Sequence, residues 1–142
     1  MLAASHHRKS IRLKGRDYTW PGTYFLTICT IARKPILGRI QDGVMYENQL
    51  GRLAKTRWME IPIHFANVAL DAFIVMPNHV HGMIHLHRRV PANEESRKLS
   101  EFGKPQSASI ATIVGTFKAA VTRDARRMLA KPAIEIWQRN YY

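Results

Sequence analysis

The sequence predicts a single α+β domain in which helices pack on an antiparallel sheet. Short runs rich in β-forming residues are separated by Gly, Pro and Asn signals, and two longer segments carry apolar residues at helical spacing. The length of 142 residues and the 46% hydrophobic content match one compact domain with its own core. We therefore expect one domain that comprises residues 1–142.

The first half of the chain is expected to contain a strand, a small hairpin and a helix. Residues 23–31 are rich in β-forming side chains, and residues 36–40 and 44–47 flank a turn that contains glycine. A helix is predicted to begin at Asn48 and to end at Pro62. Its apolar stripe consists of Leu50, Leu53, Ala54, Trp58 and Ile61.

The second half is expected to contain a tight hairpin, a helix and a last strand. Residues 68–76 and 79–87 flank Pro77-Asn78, which predicts two antiparallel strands joined by a short turn. Ser109 is a suitable N-cap for a second helix, and residues 134–138 predict the last strand. The helical stripe consists of Ile110, Ile113, Val114, Phe117 and Val121. The resulting order βαββαβ is the ferredoxin-like arrangement.

The charge of the chain predicts a polyanionic partner. There are 22 Lys and Arg residues against 10 Asp and Glu residues, which gives a net charge of +12 and a sequence pI near 10.5. Nucleic acid is the favoured partner, because no basic amphipathic helix with an aromatic face indicates a membrane surface. Two groups of cations are candidate phosphate ligands. They are Arg8, Lys9, Arg12, Lys14 and Arg16, and then Lys118, Arg123, Arg126, Arg127 and Arg139.

Targeting signals and cysteine content favour a cytoplasmic protein. The longest apolar runs are far shorter than the roughly 20 residues of a membrane helix, and the N-terminus becomes basic where a signal peptide would be apolar. The lone Cys29 lies in a strand-like run and is expected to be a buried, inert thiol. The polar residues 91–107 are expected to form an exposed connection.

The strand after Pro77-Asn78 is rich in histidine. Because successive side chains of a strand alternate between faces, His79 and His81 share one face, and Val80 and its alternating neighbours form the apolar face. Two histidines at this spacing can direct their nitrogens at one cation, although a structural role is also open. Met83 occupies the position where a histidine-triad nucleotide hydrolase needs a third alternating histidine, so that class is excluded. The lone cysteine excludes a structural zinc finger.

At His79-Val80-His81 the sequence resembles the REP-associated tyrosine transposases, which belong to the single-tyrosine HUH transposases. In that name HUH denotes His, a bulky apolar residue and His, and the surrounding residues 76–82 are similar to the family's usual context. Other blocks that carry the resemblance occur in the same order and span nearly the whole chain. They are residues 8–16 with Asp17-Tyr18, residues 22–27, residues 113–118 and residues 137–142.

The resemblance implies chemistry on single-stranded DNA that contains imperfect hairpins. In the family a tyrosine attacks a phosphodiester, which forms a phosphotyrosine link and releases a free hydroxyl. No ATP is needed, because the new covalent bond stores the energy of the cleaved one. The two histidines would hold Mg²⁺ or Mn²⁺ against the scissile phosphate, together with a third, oxygen-bearing ligand. The family's nucleophilic tyrosine and third ligand lie on a helix that follows the segment matched by residues 137–142. We therefore expect the nucleophile beyond Tyr142, and neither Tyr141 nor Tyr142 is assigned that role.

Three functions are compatible with these residues. The first is a tyrosine-dependent DNA strand transferase, and the second is a truncated, catalytically inactive module that still binds hairpin DNA. The third is a metal-dependent hydrolase that combines the histidines with Asp71, but the tight turn is expected to place Asp71 on the face opposite His81. The resemblance also allows a homodimer that shares its active sites.

Overall fold

The computed structural model describes residues 20–88 and 109–142. Two sequence predictions lie outside these ranges. They are the exposed connection at residues 91–107 and the first basic group, which consists of Arg8, Lys9, Arg12, Lys14 and Arg16.

The described strands form a three-stranded antiparallel sheet and a separate hairpin. In chain order they are β1 (Gly22–Cys29), β2 (Gly38–Gln41), β3 (Val44–Glu47), β4 (Val68–Met76) and β5 (His79–Leu86). The sheet has the order β1-β5-β4, so β5 is the central strand and pairs on both sides. Strands β2 and β3 pair only with each other, around a turn in which Asp42 and Gly43 both have positive φ.

The last strand predicted at residues 134–138 is not formed as a regular strand, and the chain end instead follows β1 as an irregular edge. Residues 136–142, named the edge segment here, run antiparallel to β1 and form a single bridge between Trp137 and Thr30. The Gln138 amide donates to the Cys29 carbonyl at 2.9 Å, and the Tyr142 amide donates to the Thr27 carbonyl at 2.9 Å. The edge segment therefore advances four residues while β1 advances two, which prevents a regular ladder. The spatial order is edge segment, β1, β5, β4, as the ferredoxin-like arrangement requires.

Three helices are described: α1 (Gln49–Met59), α2 (Ile61–His64) and α3 (Ile110–Met128). The predicted N-cap Ser109 is confirmed, since it accepts from the Thr112 amide at 3.1 Å. Asn48, where the first helix was predicted to begin, caps α1 by accepting from the Gly51 amide at 3.0 Å. The expectation that Pro62 ends the first helix is wrong. Helix α1 ends at Met59, and Pro62 lies in the first turn of α2, where a proline costs no helical hydrogen bond.

The core lies between one face of the sheet and the two long helices. Trp58 of α1 is fully buried, stacks on Phe73 at 4.8 Å and meets Phe117 of α3 edge-on at 5.4 Å. Gly82 of β5 makes this packing possible, because a Cβ built there would lie 2.1 Å from Cζ2 of Trp58. Val80 of β5 is also fully buried on this face, as the alternation predicts. Within the described residues, no helix is long and apolar enough to cross a membrane.

Candidate nucleic-acid interface and histidine pair

His79 and His81 lie side by side on the sheet face opposite the helices. Both side chains are partly buried, and their Nε2 atoms are 3.1 Å apart. The ring centroids are 4.6 Å apart and the rings are inclined by 71°. The two imidazoles therefore converge on one point, as the alternation of the strand predicts.

Neighbouring polar groups orient both rings of this histidine pair. Nδ1 of His79 lies 2.7 Å from Oδ1 of Asn78, and an amide oxygen can only accept, so Nδ1 of His79 carries the proton. Nδ1 of His81 lies 2.9 Å from the hydroxyl of Thr27, which can either donate or accept, so this contact orients the ring of His81 in either tautomer. Burial lowers the pKa of His79, and the nearby His81 and Arg33 lower it further. Nε2 of His79 can therefore present a lone pair at neutral pH.

The histidine pair fits two coordination positions of a divalent ion. Two ligands about 2.1 Å from an octahedral ion and at right angles to each other are about 3.0 Å apart. The separation of 3.1 Å between the two Nε2 atoms matches this value. Among the residues that the structure describes, no third His, Cys, Asp or Glu joins them to form a group of three ligands. Within the described residues, the pair could therefore hold an ion through two imidazole ligands.

Asp71 lies on the histidine face, so the expectation that it would occupy the opposite face is wrong. A bulge between Leu70 and Phe73 interrupts the pairing of β4 with β5 and reverses the alternation there. Oδ2 of Asp71 accepts from Nε2 of His85 at 2.9 Å, and Nδ1 of His85 lies 2.7 Å from the Thr23 hydroxyl. His85 holds the pKa of Asp71 below its usual value. The carboxylate is thus engaged by His85, at the opposite end of β5 from His79.

The second predicted basic group lines one groove between α3 and the edge segment. The cavity has a volume of about 850 Å³, and Glu135 is the one carboxylate among its described lining residues. All five predicted cations are part of this lining. They are Lys118, Arg123, Arg126, Arg127 and Arg139. Residues from a helix and from an edge strand, far apart in the sequence, therefore form one basic groove.

Lys118 holds one wall of the basic groove in place. Its ammonium donates to the carbonyl of Gln138 at 2.7 Å, to that of Asn140 at 3.0 Å and to that of Arg139 at 3.3 Å. Burial lowers the pKa of Lys118 to about 8. The side chain therefore fastens the edge segment to α3, a structural role that its charge alone did not indicate. The four arginines of the groove are exposed.

The edge segment brings one wall of the basic groove near the strand that carries the histidine pair. Gln138 of the groove is hydrogen-bonded to Cys29, and Cys29 is paired with His79. Neighbouring strands are about 4.8 Å apart, so the backbone of Gln138 is about 10 Å from that of His79. The edge segment, which forms one wall of the groove, thus lies two strands away from the histidine pair.

Comparison with known proteins identifies a relative of this chain. An uncharacterised protein of Haemophilus influenzae (strain ATCC 51907 / DSM 11121 / KW20 / Rd) is 40% identical over 146 residues, which cover 99% of this chain and 79% of that protein. The chain belongs to the same family as that protein. A search of family models found no match.

Two solved structures are similar to this chain. The REP-associated tyrosine transposase bound to a REP hairpin matches with a TM-score of 0.54 and 15% identity, over 92% of this chain and 60% of that one. A candidate transposase of Deinococcus radiodurans R1 matches with a TM-score of 0.49 and 20% identity, over 92% of this chain and 83% of that one. At this identity the first likeness shows the fold alone. The mixed α+β fold with antiparallel sheets is thus similar to that of the REP-associated tyrosine transposase.

Sequence reasoning missed three residues that surround the histidine pair. Thr27 and Asn78 bond its Nδ1 atoms, and the ring of Phe25 stacks beside His81 with centroids 5.2 Å apart. Alternation along β1 places Phe25 and Thr27 on one face, which was available as a signal. Their contact with His81, however, depends on the register between β1 and β5, in which Thr27 faces His81.

Proposed function

We propose that this protein is a transposase-like DNA-binding protein that recognises single-stranded DNA with a hairpin. The observation that carries the proposal is the basic groove, which is lined by five cations predicted from the sequence and bounded by the edge segment, two strands away from the histidine pair. A net charge of +12 supports a polyanionic partner. The likeness in fold to the REP-associated tyrosine transposase, and the sequence blocks that resemble its family, favour DNA as that partner.

The basic groove would bind the phosphate backbone. Arg126 and Arg127 are exposed neighbours on the last turn of α3, and Arg139 is exposed on the edge segment opposite. Guanidinium groups donate two parallel hydrogen bonds to phosphate, so arginine suits this contact better than lysine does. Such contacts fix the position of the strand and do not read its bases. The first basic group, at residues 8–16, is proposed to add further phosphate contacts.

His79 and His81 would hold Mg²⁺ or Mn²⁺ next to the scissile phosphate. When bound, such an ion polarises the phosphoryl oxygens and offsets the charge that develops on phosphorus. The protein's own contribution is orientation, because Asn78 holds His79 in the tautomer that exposes Nε2 and Thr27 holds the ring of His81 beside it. An oxygen-bearing third ligand would complete the set, since imidazole alone is a poor partner for magnesium.

Strand transfer needs a nucleophile as well. The resemblance assigns the nucleophilic tyrosine to a helix that follows the segment matched by residues 137–142. Tyr141 is buried, with 8% of its surface exposed, and is unsuited to attack a bound phosphate. We therefore propose hairpin binding for these 142 residues and cleavage for a chain that also carries that helix. The binding-only module remains the alternative for the protein as a whole.

Fluorescence anisotropy with a labelled DNA hairpin that carries a single-stranded tail tests the proposal. We expect affinity to fall steeply with salt, and the double variant Arg126→Ala/Arg127→Ala to lower the slope of log affinity against log salt by about 1–2. Lys55→Ala is the matched control, because Lys55 is an exposed cation of α1 away from the groove. Equal affinity at low and high salt, or an equal loss in the control, would refute the groove as the binding surface.

The same hairpin, incubated with Mn²⁺ and analysed by denaturing electrophoresis, tests the chemistry. We expect no covalent adduct with the 142 residues. An adduct that disappears in Tyr142→Phe would show that the nucleophile is already present and that the assignment to a later helix is wrong.

A further inference from the structure

An apolar strip borders the histidine pair on the open face of the sheet. Phe25 of β1 is 62% exposed, and Ile74 of β4 is 52% exposed. The water-facing side of an antiparallel sheet is normally polar, so large apolar groups exposed there indicate contact with a ligand or partner. Both residues lie on strands that pair with β5, one on each side of His81.

Phe25 is placed to extend the surface of the histidine pair. Its ring stacks beside that of His81 with centroids 5.2 Å apart and an interplanar angle of 29°. On the other side of β5, Ile74 is the direct partner of His81. His81 therefore lies between an aromatic and an aliphatic side chain, and the ring of Phe25 remains largely open to solvent.

We propose that Phe25 stacks against an unpaired base of the bound DNA, at the nucleotide whose phosphate lies at the histidine pair, with Ile74 bordering the stack. The inference rests on the proposed function and adds the group that selects single-stranded over duplex DNA. A ring beside His81 can meet a base only if that base is unstacked from its neighbours. A duplex offers phosphates to the basic groove but no open base face to Phe25.

Charge favours a nucleotide as the occupant of this strip. A second copy of the chain would bring another net charge of +12 to the same surface, whereas a DNA strand brings negative charge. The backbone of Gln138, which lines the basic groove, is about 10 Å from that of His79, so a DNA strand that passes around the edge segment would reach this face. Stacking on an aromatic ring tolerates every base, because each has a π-face.

A scan of the oligonucleotide tail tests the inference directly. The probe is the labelled hairpin in which each tail nucleotide in turn is replaced by an abasic one, titrated against the wild-type chain, Phe25→Ala and Phe25→Trp. We expect Phe25→Ala to weaken binding about tenfold without changing the salt slope, since it removes no phosphate contact. One abasic position should cost the wild-type chain a similar factor and cost Phe25→Ala nothing. Phe25→Trp should retain both the affinity and the abasic signature.

Tyr46→Ala is the control, because Tyr46 is a similarly exposed aromatic, at 51%, on the separate hairpin. Unchanged binding in Phe25→Ala, or an abasic cost that persists equally in it, overturns the stacking role while the proposed DNA binding stands. A Phe25→Ala variant that also changes the sedimentation behaviour of the free chain overturns it in favour of a protein interface. Failure of the wild-type chain to bind any of the probes refutes the proposed function itself.

Discussion

Replacing Gly82 by alanine is a sharp test of how the core supports the histidine face. A Cβ at this position would lie 2.1 Å from Cζ2, 2.6 Å from Cη2 and 2.8 Å from Cε2 of Trp58. The indole is fully buried between Phe73 and Phe117, so it has no free space into which to move. The strand or the helix must therefore shift.

The net effect follows from two opposing contributions. Overpacking of a filled core costs about 1–3 kcal/mol, and a contact at this distance belongs at the upper end. Removing a glycine from a strand interior returns about 0.5–1 kcal/mol of backbone entropy. We expect Gly82→Ala to lower the free energy of unfolding by about 2 kcal/mol. Because Gly82 follows His81, a shift of β5 should also weaken divalent-ion binding by the histidine pair.

Urea unfolding monitored by tryptophan fluorescence measures the effect, and Gly115→Ala is the matched control. Gly115 lies in α3, and a Cβ there meets nothing within 4 Å. Its replacement should raise stability by about 0.5–1 kcal/mol through helix propensity. In a double-mutant cycle, Trp58→Leu should relieve much of the cost of Gly82→Ala. Equal stability of the two alanine variants, or strict additivity in the cycle, would refute the packing argument.

Two further outcomes are expected from contacts of the site. Thr27→Val should weaken Mn²⁺ binding by about 10–100-fold in calorimetry, because it removes the hydroxyl that orients His81. Thr23→Val is the control, since it alters the partner of His85 and should leave Mn²⁺ binding unchanged. Equal losses of affinity in the two variants would contradict the role of Thr27. Burial lowers the pKa of Lys118 to about 8, so between pH 8 and its ordinary value of 10.5 the unfolded chain binds more protons than the folded one, and stability rises with pH. After allowance for partial exposure, the wild-type chain should gain about 1–2 kcal/mol over Lys118→Met across this range. Parallel pH profiles in urea unfolding would exclude that contribution.

Regular features of this fold could be predicted because they depend on local periodicity. The alternation of β5 placed His79 and His81 on one face, and the helical spacing of α3 aligned most of the basic groove. Arg139 joins that groove through the edge segment, which is a tertiary contact that the sequence does not encode locally. The position of Asp71 was mispredicted for a related reason. The bulge between Leu70 and Phe73 has no local signature of glycine or proline, yet it reverses the faces of the residues before it.

The contacts that tune the site were the hardest to anticipate. The roles of Thr27 and Phe25 depend on the register of β1 against β5. The role of Lys118 depends on the position of the edge segment beside α3. These are pairings between residues distant in the sequence. The DNA contacts assigned to residues 8–16 stay a prediction, since those residues lie outside the described ranges.

The alternation of buried and partly buried residues along β5 determines which amino-acid substitutions the protein can tolerate there. Val80, Gly82 and Ile84 are buried on the core face, whereas His81, Met83 and His85 are only partly buried on the other face. Substitutions at the second set can alter ligand chemistry with little loss of folding stability, while those at the first set are constrained by packing. A saturation library of β5 should therefore separate into two alternating classes, with abundance sensitive at even-numbered positions and DNA binding sensitive at odd-numbered ones. New specificities can arise on such a strand without first acquiring compensating mutations in the core.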